Sequence, residues 1–180
     1  KLLINVKKGK YGKILFIIQV KIMYYLKLFD ENLIEFEMTN DFGLKISNIK
    51  VLSNNKKIFP VTLKNEINEK TLEEFIKARI IPKNRAFVQN ILEEAGLNIN
   101  DRKSIIDVSK GLSLVDSYWI VQDTSLKFKD YNLFDNDFSK VLSLVAFTGY
   151  SSKRKDLLTS PEFTTNGMLP KAWRKFEDGI

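Results

Sequence analysis

The chain has 180 residues, 44% of them hydrophobic, with no cysteine and no histidine. That length and apolar content suit one hydrophobic core, and the missing residue types exclude disulfides, thiolate or Ser-His nucleophiles and the usual zinc ligand sets. The net charge of +7 is concentrated: residues 1–27 hold seven lysines and no acid, which leaves 22 bases against 22 acids in residues 28–180. A basic arm therefore precedes a neutral body, and a neutral body offers no broad electrostatic footprint for nucleic acid.

The reading divides the chain into a basic and apolar N-terminal extension, residues 1–22, and a single α+β domain, residues 23–180, with Met23 opening a plausible domain start. Lys7, Lys8, Lys10 and Lys13 are the candidate nucleic-acid contacts, as sequence-independent partners for phosphate. The run Ile14–Val20 lacks a small-residue cleavage site and meets Lys21 at once, so it is not a secretory signal. It is also far too short to cross a bilayer. A cytoplasmic protein is expected, with this run as a buried strand.

Further strands are predicted at Met23–Phe29, Leu33–Met38, Leu44–Leu52 and Ile58–Leu63, because runs rich in Ile, Phe and Leu alternate with Asp, Asn and Ser separators that accept turn dihedrals. An antiparallel sheet follows. A helix is predicted over Thr71–Ile80, with Leu72, Phe75, Ile76 and Ile80 on one face, Thr71 and Glu74 as a capping box, and Pro82 beyond its end. A second helix, capped by Asn84, presents Phe87, Val88, Ile91 and Leu92, and Gly96 stops it. A short helical turn at Asp101–Ile106, a strand at Tyr118–Val121 and a helix at Asp137–Phe147 complete the body. Asp116 and Ser117 are expected to cap local backbone, and Trp119 to lie in the core. Asp135-Asn136-Asp137 lacks the glycine and distal glutamate of a calcium loop and is expected to be a turn and cap.

The last elements are predicted as a C-terminal β-hairpin: strands at Phe163–Thr165 and Ala172–Phe176 around Asn166-Gly167, with Asp178-Gly179 a second turn. Lys153, Arg154 and Lys155, close to Phe147 and Tyr150, form a basic loop interleaved with aromatics. With Trp173 and Arg174, a typical hot-spot pair, they are the candidate partner-binding residues. The only close glycine pair is Gly9-x-x-Gly12, so no phosphate-cradling loop is evident.

Three words are far less degenerate than the rest: Ile106-Asp107-Val108-Ser109-Lys110-Gly111-Leu112-Ser113-Leu114, then Asp116-Ser117-Tyr118-Trp119, and Pro161-Glu162-Phe163-Thr164-Thr165-Asn166-Gly167-Met168-Leu169-Pro170-Lys171-Ala172-Trp173-Arg174. They resemble the front part of HipA-like Ser/Thr kinases of low-GC bacteria and their mobile elements, departing at Val115, where that family usually has a polar residue, and at Ala172, where it often has cysteine. The resemblance implies that the nucleotide-binding and catalytic segments lie downstream of Ile180, so that this chain is not itself an enzyme and needs no cofactor. Two functions follow as expectations. One is a non-enzymatic binding or inhibitor protein of mobile-element or phage origin, similar in composition to some proposed anti-CRISPR proteins that dock on type VI RNA-guided, RNA-cleaving effectors. The other is a truncated or split HipA-like kinase subunit of a toxin–antitoxin system, whose partner is the kinase core. Both call for a protein partner and no membrane, with RNA contact through the N-terminal arm.

Overall fold

The computed structural model describes residues 22–41, 43–150, 160–164 and 168–173, together with the backbone of residues 2–8 and 14–20. The class is α+β. Strands β1 (Leu2–Lys8) and β2 (Ile14–Val20) pair antiparallel as a two-stranded ladder, Leu2 opposite Val20 and Lys8 opposite Ile14. The stretch read as a basic arm thus contains a strand, and Lys7 and Lys8 belong to it. An apolar run such as Ile14–Val20 offers a row of backbone donors and acceptors, which the Leu2–Lys8 segment satisfies.

The main sheet is antiparallel, in the order β5-β4-β3-β6, from β3 (Met23–Leu28), β4 (Glu31–Thr39), β5 (Lys45–Val51) and β6 (Tyr118–Val121). Its register places Tyr24 opposite Phe36 and Leu26 opposite Ile34 on β4, while Leu26 also faces Ile120 on β6. Alternation sends Tyr24, Leu26 and Ile120 to one face, where they share one core with buried side chains of the helices. Trp119 and Val121 go to the other face, under Leu112, Phe128 and Leu133. Lys27 points the same way as Trp119 and is buried with it. Its ammonium donates to the carbonyls of Thr124 (3.0 Å) and Leu126 (3.1 Å) and stands 5.3 Å from the indole centroid. Burial lowers the pKa of this lysine.

Helix α1 (Glu69–Lys77) buries Leu72, Phe75 and Ile76 as its pattern requires, and Ile80 just beyond it is buried too. Its capping box lies one turn earlier than Thr71 and Glu74: Asn68 accepts from Thr71 N–H at 2.9 Å, and Thr71 Oγ1 accepts from Asn68 N–H at 3.1 Å. Helix α2 (Val88–Glu94) begins after Phe87, which holds a left-handed φ of 58° and gives no side-chain cap, so Asn84 does not cap it. The intervening turn is held instead by Arg85 N–H to Pro82 O (3.1 Å) and Ala86 N–H to Met168 O (3.1 Å). Helix α3 (Arg102–Ser109) is capped by Asp101, and α4 (Lys140–Thr148) by Ser139. Gly149 ends α4 at φ 75°, and a Cβ there would lie 2.7 Å from the Phe87 ring, so only glycine fits.

Three predicted strands are not strands over their described residues. Ile58–Leu63 lies in two short 3-10 turns, Lys56–Ile58 and Val61–Leu63, because Pro60 removes a ladder donor and Asn55 caps the first turn through Lys57 N–H at 3.1 Å. At the C-terminal end, Pro161–Phe163 is a 3-10 turn started by Ser160 and Pro161, and residues 170–173 form no strand. Glu162 is buried there, and its carboxylate takes the backbone N–H of Trp173 that a hairpin ladder would have used. Asn166-Gly167 and Asp178-Gly179, the expected turns, lie outside the described residues. No helix among the described residues is long and apolar enough to cross a membrane.

Candidate functional site

A groove of about 680 Å3 opens between the turns that follow β5, the C-terminal end of α1, residues 113–118 and the C-terminal segment. Its floor is Arg79, buried just past the end of α1. The guanidinium donates from Nε to Gly111 O (2.5 Å), from Nη1 and Nη2 to the two oxygens of Asp116 (2.9 and 2.6 Å), and from Nη2 to Tyr118 O (2.7 Å). The Phe75 ring lies against it at 5.0 Å. A bidentate fork of this kind fixes direction as well as charge. The close approach to Gly111 O depends on that residue's φ of 57°, and a Cβ there would meet Ile120 Cδ1 at 3.3 Å.

Asp116 does cap local backbone, accepting from Tyr118 N–H at 3.1 Å, but its larger task is the pair with Arg79. Trp119 is wholly buried and donates from Nε1 to Phe29 O at 2.6 Å. Tyr118 donates to Ile58 O at 2.9 Å and meets Phe75 edge-on at 6.1 Å, which ties the β5-side wall to the sheet. Burial, then the charge of Asp116, raises the Tyr118 pKa, so its hydroxyl remains a donor at neutral pH.

The opposite wall is the C-terminal segment. Arg85 and Glu162 form an ion pair with both side chains fully buried, and Arg85 also donates to Glu162 O and, at 3.2 Å, to Lys171 O. The other Glu162 oxygen accepts from Trp173 N–H at 3.0 Å, and Ser143 on α4 donates to Trp173 O at 3.2 Å. Both peptide groups of Trp173 are thereby fixed, while 42% of the residue stays exposed on the groove rim.

Among the described residues the lining carries Lys57, Lys64 and Lys171 and one carboxylate, Asp116, which is engaged by Arg79. Three lysines thus line a cleft whose remaining walls mix apolar residues such as Val61, Leu114 and Val115 with the hydroxyls of Thr62, Ser113 and Thr164. Among the described residues no group of three or more Asp or Glu side chains is placed to hold a metal ion. The arrangement suits binding of anionic groups attached to apolar ones.

Of the candidate contact residues read from the sequence, Trp173 is the one whose side chain is described, and it lines this site. Lys7 and Lys8 lie on β1 with undescribed side chains, and Lys10, Lys13, Lys153, Arg154, Lys155 and Arg174 lie outside the described residues. Sequence reasoning missed Lys57 and Lys64, which resemble ordinary turn lysines, and missed both arginine–carboxylate pairs, whose members are 37 and 77 positions apart. Lys171 had a signal, since it sits inside one of the low-degeneracy words. No family model, no curated protein and no solved structure matches the chain.

Proposed function

We propose that this chain is a binding module that docks a partner macromolecule in the groove beneath Trp173 and performs no chemistry of its own. One observation carries the reading. Residues 113–116 and Tyr118, with Pro161, Thr164, Lys171 and Trp173 from the later sequence word, line one cleft in which, among the described residues, three lysines and an exposed tryptophan meet a single carboxylate already paired with Arg79. A preformed basic cleft with an aromatic anchor favours association through steering and burial.

In its most specific form the reading makes the chain an inhibitor that docks on a type VI RNA-guided effector. Cleavage of a fluorescent reporter RNA by the purified effector should fall when the chain is added, and the variant Trp173→Ala should restore it. Undiminished cleavage at saturating chain would remove that partner. The front part of a HipA-like kinase is the second reading, favoured by the convergence on this groove of the same words that carry the resemblance. It predicts a complex with a separately supplied kinase core, and magnesium-dependent ATP affinity of the chain alone, measured by calorimetry, would contradict the binding-module reading.

A further inference from the structure

We infer that the occupant of the groove is an acidic peptide segment of a protein partner, an apolar or aromatic side chain flanked by Asp or Glu, rather than a nucleic-acid strand. The inference rests on the docking reading and adds the chemical class of the ligand. Charge complementarity gives the carboxylates: Lys57 and Lys64 are exposed on one wall and Lys171 stands on the other, and among the described residues the one acid of the lining, Asp116, is paired with Arg79.

The apolar part decides between peptide and nucleic acid. A single strand is held by successive bases stacked on exposed rings along a basic track. Here Phe59 and Phe75 are buried in the core, one face of Phe75 is taken by Arg79, and Tyr118 meets Phe75 through an edge contact. Among the described lining residues that leaves Trp173 as the exposed ring, one platform and not a track. Beside the lysines stand Val61, 79% exposed, and Val115, 87% exposed. Exposed aliphatic carbon gains nothing from a phosphodiester and gains from covering a Leu or Phe side chain. The cleft volume of about 680 Å3 matches a few side chains and not a folded domain.

The test uses the full chain and two fluorescein-labelled probes: a short peptide alternating Glu and Asp with Phe and Leu, and a uridine-rich RNA oligonucleotide. Fluorescence anisotropy should show peptide binding that weakens with salt, that is lost when the acids are replaced by lysine, and that drops about tenfold or more in the double variant Lys57→Glu/Lys64→Glu. Both lysines are exposed, so the double variant should keep its thermal midpoint; Val115→Asp, a change on another wall, should weaken the peptide as well. Peptide binding that ignores both variants would overturn the inference, as would no peptide binding at all. RNA bound in preference to peptide, and released by Lys57→Glu/Lys64→Glu, would overturn the peptide class while leaving the docking groove standing.

Discussion

Arg79 and Arg85 flank the same turn after α1, and each pairs with a distant carboxylate, yet they do different work. Arg85 and Glu162 are both wholly out of water, and their contacts hold the C-terminal segment against the turn before α2. Arg79 is buried but its partner Asp116 keeps 28% side-chain exposure, and together they form a groove floor that solvent reaches. A charge with no water depends wholly on its partner, so Arg85 acts as an all-or-none clamp. A charge at a wetted edge has alternatives, and its loss is graded. The difference teaches that one arginine decides whether the groove has a second wall, while the other decides the shape of its floor. In Arg85 the Nε has no hydrogen-bond partner among the described residues, which adds to the cost of its burial.

Breaking one partner of each pair should separate them most clearly. Glu162→Ala leaves a buried guanidinium uncompensated and should cost about 3–5 kcal/mol in denaturant unfolding, whereas Arg85→Met combined with Glu162→Leu should recover much of that. If the single and double changes were equally harmful, the segment would be held by packing and not by the clamp. Asp116→Ala should cost less, about 1–3 kcal/mol, because Arg79 retains the carbonyls of Gly111 and Tyr118. A loss as large as that of Glu162→Ala would erase the proposed distinction.

A third polar cluster, away from both arginines, gives a pH-dependent reference. Tyr24 donates to Asp107 at 2.7 Å and Lys103 bonds the other Asp107 oxygen at 2.8 Å. Burial, with further contributions from Asp107, pushes the Tyr24 pKa from 10.0 up to about 12. Burial works against the Lys103 charge, but bonds to Asp107 and Tyr24 prevail and carry it from 10.5 to about 12. Both groups hold their protons more tightly when folded, so this stability is complete below pH 10 and declines as pH rises toward 12. Tyr24→Phe should flatten the decline in alkaline thermal melts, and an unchanged slope would discard the cluster as its source. The smallest effect is expected from the groove wall itself. Lys57→Glu and Lys64→Glu should alter stability by less than about 0.5 kcal/mol, since neither side chain is buried.

The strands of the body and the helix faces were legible because burial of one side of an element writes a period into the sequence. Met23–Leu28, Tyr118–Val121 and the Leu72, Phe75, Ile76 stripe of α1 emerge where the period places them. Cap positions were less legible: Asn68 and Ser139 begin their helices where Thr71 and Asp137 were expected, since several short polar side chains in a row satisfy the same donors. The failures cluster where proline and long-range charge intervene. Pro60 turned an apolar run into two 3-10 turns, and Glu162 drew the backbone of Trp173 out of a ladder.

The sequence by itself determined the α+β class, the buried role of Trp119 and the absence of histidine and cysteine chemistry. Each follows from composition or from a local period. Only the tertiary structure decided that Arg79 meets Asp116, that Arg85 meets Glu162, and that Lys57, Lys64, Lys171 and Trp173 share one groove. Ion pairs and pockets join residues whose separation along the chain carries no periodic mark. Their partners are chosen by which charges the packed sheet and helices bring within reach and leave without water.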